Sequence, residues 1–255
     1  MKLGLVQYNP EWENKPANQL KIVSILKSSI VTPDFLIFPE MTLTGYTMNT
    51  KLSEVFDLTR SETLQFFSKL SKDISVNTIA GFIEEDEGNY FNTLFVIDRE
   101  GKIRAKYRKI HLFSFAGEER HYKSGGKPEI VELENLKIGL SICYDLRFPE
   151  LYRIYAKQKV HLIVNIANWP ESRVDHFVQL LKTRAIENQC FVAGVNRVGY
   201  AKKEYYDGRS SIFDPLGNEL ISVKDEEKLI LAEIDLNKIE EVRNKYPFLN
   251  DIKLI

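Results

Sequence analysis

The chain has 255 residues, 44% hydrophobic and 28% charged, with a formal net charge of −1. That balance suits a soluble globular protein and supplies no general electrostatic reason to bind nucleic acid or an anionic membrane. Two cysteines, Cys143 and Cys190, stand far apart in the sequence, which argues against a disulfide scaffold and for a reducing, cytoplasmic setting.

The opening MKLGLVQYNPEWEN has no long apolar core and does not read as a secretory signal. Residues 3–8 read as a strand. A helix is expected over 16–30, with Leu20, Val23, Leu26 and Ile30 on one apolar face. Pro33 breaks it, and 34–40 (DFLIFPE) is a second strand. Ser61 is placed to cap a helix over 61–74. Strands follow at 78–85 and 90–103, the latter containing an Arg-Glu-Gly turn. Strand 136–143 leads to a short helix at 150–158, strand 160–168, a long helix at 173–189 and strand 190–199. Two strands, 209–215 and 228–235, and a helix at 235–246 complete the pattern. The order strand–helix–strand–helix–strand, then hairpin-like strands, occurs about twice. Apolar runs such as FLIF and LIVNI suit strands buried on both faces, hence an α/β class of sheets covered by helices. No low-complexity linker divides the chain, whose 255 residues suit one large domain or two small ones. No stretch approaches the roughly 18 apolar residues of a membrane span. The histidines (His111, His121, His161, His176) are scattered without zinc spacing, so no metal is expected.

Three groups stand where strands end, the rim at which α/β proteins bind ligands. Glu40 ends DFLIFPE, Cys143 ends LKIGLSIC, and Lys109 lies in KYRKIHLF (106–113). A thiol, a carboxylate and an ammonium would together make a nucleophilic site. A free thiol, with a pKa of about 8.5, is mostly protonated at neutral pH. A carboxylate can take its proton during attack. A lysine and the backbone N–H of Tyr144 can hold the developing oxyanion. Each group also has a bland reading: Cys143 as core, Glu40 as a solvated strand end, Lys109 as part of a solvated basic face.

Taken together, FPEMTLTGY (38–46), YRKIHLF (107–113), GLSICYDLRFPELYR (139–153), NWP (168–170), TRAIENQCFVAGVNRVG (183–199) and GRSSIFDPLGN (208–218) resemble the nitrilase, or carbon-nitrogen hydrolase, superfamily. The resemblance implies a single domain over residues 1–255, a four-layer α-β-β-α sandwich and a Glu–Lys–Cys triad with no metal or cofactor. Glu40 would be the general base, Lys109 the stabiliser of the tetrahedral intermediate and Cys143 the nucleophile. A second glutamate is implied within FAGEERHYKSGG; Glu118 matches best, and Glu119 fits the same spacing. It would orient Lys109 and the attacking water. The resemblance also implies homodimers of sandwiches packed side by side.

Within the superfamily, the run from HLF through GEERHYKSG to NWPESRVDHFVQLLKTRAIENQ resembles the omega-amidase branch. That implies hydrolysis of the terminal amide of 2-oxoglutaramate or 2-oxosuccinamate. A substrate with a distal carboxylate needs a cation or several donors; Arg173 and Tyr46 are the candidates, with a surface role as the alternative for Arg173. Asn168 and Trp169 are expected to shape the pocket wall, Trp169 alternatively being core. Arg147 is read as chiefly structural, paired with Glu150 or Asp145, with substrate binding as the alternative, and Cys190 as inert core. His176 and Gln179 lie on the long helix and face either solvent or a partner. Rival readings are an N-carbamoyl amine, nitrile or other aliphatic amide hydrolase on the same site, a Cys–His hydrolase using His111, and a non-catalytic binding protein on the same fold.

Overall fold

The computed structural model describes residues 1–254. Its strands are β1 (Lys2–Gln7), β2 (Phe35–Ile37), β3 (Glu54–Val55), β4 (Asn77–Asp86), β5 (Asn89–Ile97), β6 (Ile103–Arg108), β7 (Ile130–Leu133), β8 (Leu136–Ile142), β9 (Leu162–Ile166), β10 (Phe191–Val195), β11 (Val198–Ala201), β12 (Glu204–Phe213), β13 (Glu219–Lys224) and β14 (Lys228–Glu233). The helices are α1 (Lys15–Lys27), α2 (Glu62–Ile74), α3 (Pro149–Lys157), α4 (Val174–Asn188) and α5 (Asn237–Lys245).

Two sheets result. The first runs β14-β1-β2-β4-β5-β6, with β3 on β4; the second runs β11-β12-β10-β9-β8-β7, with β13 on β12. Strands β1, β2 and β4 are parallel, joined by α1 and α2, and β8, β9 and β10 are parallel, joined by α3 and α4. The parallel runs therefore come from two β-α-β-α-β passes, the repetition visible in the sequence.

Alternation along the strands builds the layers. In the first sheet Leu3, Leu5, Ile37, Ile79, Leu94 and Val96 point inward and share one core with Ile138, Leu140, Val164 and Val192 of the second. Val6, Leu36, Ala80, Phe95 and Ile97 point the other way, onto Ile22 of α1 and Leu64 and Phe67 of α2. Phe177 and Leu181 of α4 and Tyr152 and Tyr155 of α3 close the far side. The architecture is the expected α-β-β-α sandwich.

Several local expectations need correction. Helix α1 stops at Lys27, and Leu20 and Ile30 are exposed; the buried face carries Asn18 and Ile22, with Ile25 and Leu26 beside them. Asn18 is buried because its side chain bonds the carbonyls of Glu11 and Leu43, a tertiary demand that apolar periodicity does not reveal. The segment 90–103 holds nearly all of β5 and then the expected turn, closed by Gly101 N–H on Asp98 O, but only the first residue of β6, which runs on to Arg108. The basic run after it is not a solvated face: Lys106 and Arg108 of β6 both pair with buried Glu84, and Lys109 is buried.

Candidate active site

Glu40, Lys109, Cys143 and Asn168 each follow the C-terminal end of a strand (β2, β6, β8 and β9). Because β6 is antiparallel to β5 and β5 to β4, β6 runs with β2 and delivers Lys109 to the same rim as Glu40. The facing rim of the second sheet delivers Cys143 and Asn168.

Lys109 is 1% exposed, and Glu40 and Glu118 are fully buried. Lys109 Nζ donates to Glu40 Oε1 (2.9 Å) and to both oxygens of Glu118 (3.1 and 2.9 Å). Burial works to lower the Lys109 pKa, but the carboxylates of Glu118 and Glu40 outweigh it and hold the pKa well above the usual lysine value. The amine is an ammonium at neutral pH. Glu118 Oε2 also accepts from Phe113 N–H (2.6 Å), which ties it to the loop after β6. Glu119 is exposed and lies 3.9 Å from Arg120, so Glu118 is the glutamate that meets Lys109.

The other oxygen of Glu40 faces the second sheet. Asn168 N–H and Nδ2 donate to Glu40 Oε2 (3.1 and 3.4 Å), and Nδ2 also donates to the Glu40 carbonyl (2.7 Å). Asn168 thus clasps Glu40 rather than serving as wall alone. Its carbonyl lies 3.9 Å from Cys143 Sγ, so one residue links carboxylate and thiol. Asn92 of β5 completes the cluster by donating to both Glu40 Oε1 (2.7 Å) and Glu118 Oε1 (2.9 Å). Sequence reasoning missed Asn92, because an asparagine inside a strand carries no local signal of chemistry.

Cys143 turns sharply out of β8 with φ 45°, a left-handed conformation that is costly for a residue with a side chain. Asp145 holds that turn. Its Oδ2 accepts from Ile142 N–H (3.0 Å) and the Tyr107 hydroxyl (2.7 Å), and its Oδ1 from His111 N–H (2.9 Å). His111 Nδ1 lies 2.8 Å from the same oxygen, and its ring stacks on Phe148. His111 is therefore a brace for the turn, which removes the basis for a Cys–His pair. Tyr144 lies in the first turn of the short helix Cys143–Arg147, where N–H groups have no intrahelical acceptor. Burial, and then the Glu40 charge, push the Cys143 thiol well above its usual pKa, with Lys109 opposing. The resting sulfur is a thiol at neutral pH.

Cys143 and Lys109 open into a cavity of about 320 Å³ whose walls include Tyr46, Phe113, Arg147, Trp169 and Arg173. The Tyr46 hydroxyl is buried and, among the described residues, has no hydrogen-bond partner. Trp169 serves as both wall and core: its ring packs on Phe177 and carries the Arg147 guanidinium 4.8 Å from its centroid. Arg147 does not pair with Glu150 or Asp145. Asp145 is committed to the turn, and Arg147 instead lies over Trp169 with Nη2 3.3 Å from Nδ1 of exposed His176. The guanidinium of Arg173 is 5.8 Å from the Phe113 ring, and its carbonyl accepts from Trp169 Nε1 (2.7 Å). Among the described residues neither arginine has a carboxylate partner. Cys190 is fully buried in the core, which pushes its thiol up to about 12. Among the described residues no three His, Cys, Asp or Glu side chains are grouped to hold a metal, and no helix is long and apolar enough to cross a membrane.

The chain is similar to known proteins in sequence and fold. The chain is 33% identical to the 2-oxoglutaramate amidase of Bacillus subtilis, over 98% of this chain and 97% of that protein. It is 34% identical to omega-amidase YafV of Yersinia enterocolitica, over 98% and 96%. Its fold superposes with a TM-score of 0.92 on a CN-hydrolase superfamily protein of Xanthomonas campestris that was solved with an arsenic adduct in its active site. That pair is 27% identical, with 100% and 98% of the two chains covered. The family model described as carbon-nitrogen hydrolase matches residues 2–244, and this chain belongs to the carbon-nitrogen hydrolase family.

Proposed function

We propose that the protein is a cysteine-dependent amidase of the omega-amidase type, cleaving the terminal amide of 2-oxoglutaramate or 2-oxosuccinamate to the 2-oxo dicarboxylic acid and ammonia. The observation that carries the substrate reading is a cavity that joins Cys143 to two arginines without carboxylate partners. A guanidinium in an apolar-walled pocket matches a carboxylate bidentately. The names of the relatives point the same way.

In this reading Cys143 Sγ attacks the amide carbon as its proton passes to Glu40. The oxyanion is held by Lys109 Nζ and Tyr144 N–H. Lys109 shares its protons among three carboxylate oxygens, two on Glu118, so one contact can be exchanged for the oxyanion without abandoning either glutamate. Glu40 returns the proton to the leaving nitrogen, the C–N bond breaks, and ammonia departs from a Cys143 thioester. Water then loses a proton to Glu40 and attacks the thioester carbon, releasing the acid and restoring the thiol. Glu118 orients Lys109. Tyr46, Arg147 and Arg173 receive the distal carboxylate. Residues 1–255 act as one catalytic domain, without cofactor, in a cytoplasmic homodimer of side-by-side sandwiches; exposed Ile154 of α3 and Ile186 of α4 on the outer layer support the pairing.

Ammonia release from 2-oxoglutaramate, with succinamate and a simple nitrile for comparison, tests the reading. Fast release that Cys143→Ala abolishes is expected. Arg147→Ala should raise KM more than it lowers kcat, because the carboxylate contact is made in ground and transition states alike. Cysteine-dependent turnover of the nitrile but neither amide would discard the substrate and keep the chemistry.

A further inference from the structure

Asn92 sits in β5 beside the end of β6, and its carbonyl accepts from Lys109 N–H (2.9 Å). Its Nδ2 and Lys109 Nζ bond the same two atoms, Glu40 Oε1 and Glu118 Oε1. Two donors and two acceptors thus close a four-atom ring. Asn92 is 1% exposed, and its Oδ1 is buried with no partner among the described residues. A flipped amide would turn that oxygen onto two carboxylates, so the amide is held with its donor toward the charges. A side chain needed only to fill space would not leave a buried carbonyl unpaired.

We propose that Asn92 is a positioning residue, a neutral second donor that with Lys109 keeps Glu40 and Glu118 gathered around one ammonium. The proposal rests on the reading of Glu40 as the base. Two carboxylates on one cation repel each other, and a hydrogen-bond donor shared between them opposes that repulsion, as a donor to any carboxylate favours its charged form. An amide does so without adding a second cation to compete for the oxyanion. The other titratable groups facing the cluster are Cys143 from β8, Tyr46, and Tyr122 beyond the Glu118 turn. Burial pushes both phenols well above their usual pKa, so neither supplies charge.

The test compares wild type, Asn92→Leu, Asn92→Asp and Cys143→Ala by two profiles against pH: kcat/KM for the amide, and the rate of Cys143 alkylation by iodoacetamide, which needs no substrate. Asn92→Leu should slow both about 10- to 100-fold near neutral pH and move their acidic limbs to higher pH. Asn92→Asp, a donor only while protonated, should recover part of the rate at low pH and lose it as pH rises. It also carries the test if Asn92→Leu does not fold. Slower rates with unmoved limbs, or wild-type rates, would overturn the proposal. A wild type as active as Cys143→Ala would overturn the reading of the site, and the proposal with it.

Discussion

At the scale of single residues, the site's design is one buried cation among groups that need it. Lys109 is the counter-ion of two buried carboxylates and, in the proposed chemistry, a donor to the oxyanion. Lys109→Met should cost about 3–5 kcal/mol of stability, because it leaves both carboxylates buried without their cation. The loss of one oxyanion donor should lower kcat on the order of 10²–10³-fold in whatever protein folds. Thermal melting and turnover of one preparation check both. The two cysteines separate on exposure and base. In the folded protein iodoacetamide should label Cys143 at the cavity floor and leave Cys190 untouched until denaturant is added, as peptide mapping would show. Equal labelling would count against an assisted thiol at Cys143.

At the scale of elements, strand ends do the positioning, and their supports lie elsewhere in the chain. Gly125 shows how tight this is. Its N–H donates to the Lys109 carbonyl (2.8 Å), and a Cβ there would fall 2.1 Å from the Arg108 carbonyl oxygen. Gly125→Ala must therefore displace the end of β6 that carries Lys109. A loss of about 1–3 kcal/mol is expected, together with a fall in kcat larger than the change in melting temperature alone would produce; activity measured well below the melting point separates the two. The long apolar strands and the helices with capping serine or proline were legible from the sequence, since their signals are local. Strands β3, β6, β7, β11 and β13 were not, because each is at most six residues long and is marked as a strand by its pairing rather than by a long apolar run. The burial of Asn18 on α1 was hidden because it depends on carbonyls of Glu11 and Leu43, outside the helix.

At the scale of the whole molecule, buried carboxylates tie distant segments together and set the response to acid. Burial alone would raise the pKa of Glu54, Glu84 and Asp214. Hydrogen bonds from Lys15, Ser61 and Thr63, from Arg108, Lys106 and Thr93, and from Lys238 and Asn218 more than reverse it, so all three lie below their ordinary values. A lowered folded-state pKa contributes stability above the unfolded value, and that stability is lost as the pH falls through the folded one. Melting temperature should hold near neutrality and decline once the pH drops below about 4.5, the ordinary glutamate value. Glu84→Gln should flatten that decline while lowering stability at pH 7.

The sequence by itself determined the α/β class, the two passes of strand and helix, the family resemblance and the strand ends where Glu40 and Cys143 stand, because periodicity and motif spacing are local properties of the chain; the strand that delivers Lys109 came from the structure. Tertiary structure alone decided that Glu118 and not Glu119 meets Lys109, and that Asn92 and Asn168 hold Glu40 from opposite sheets. It also decided that Arg147 leaves its neighbouring acids to lie on Trp169. Each of those outcomes depends on which charges share a buried space with too few partners, and that space exists only once the two sheets have closed on each other.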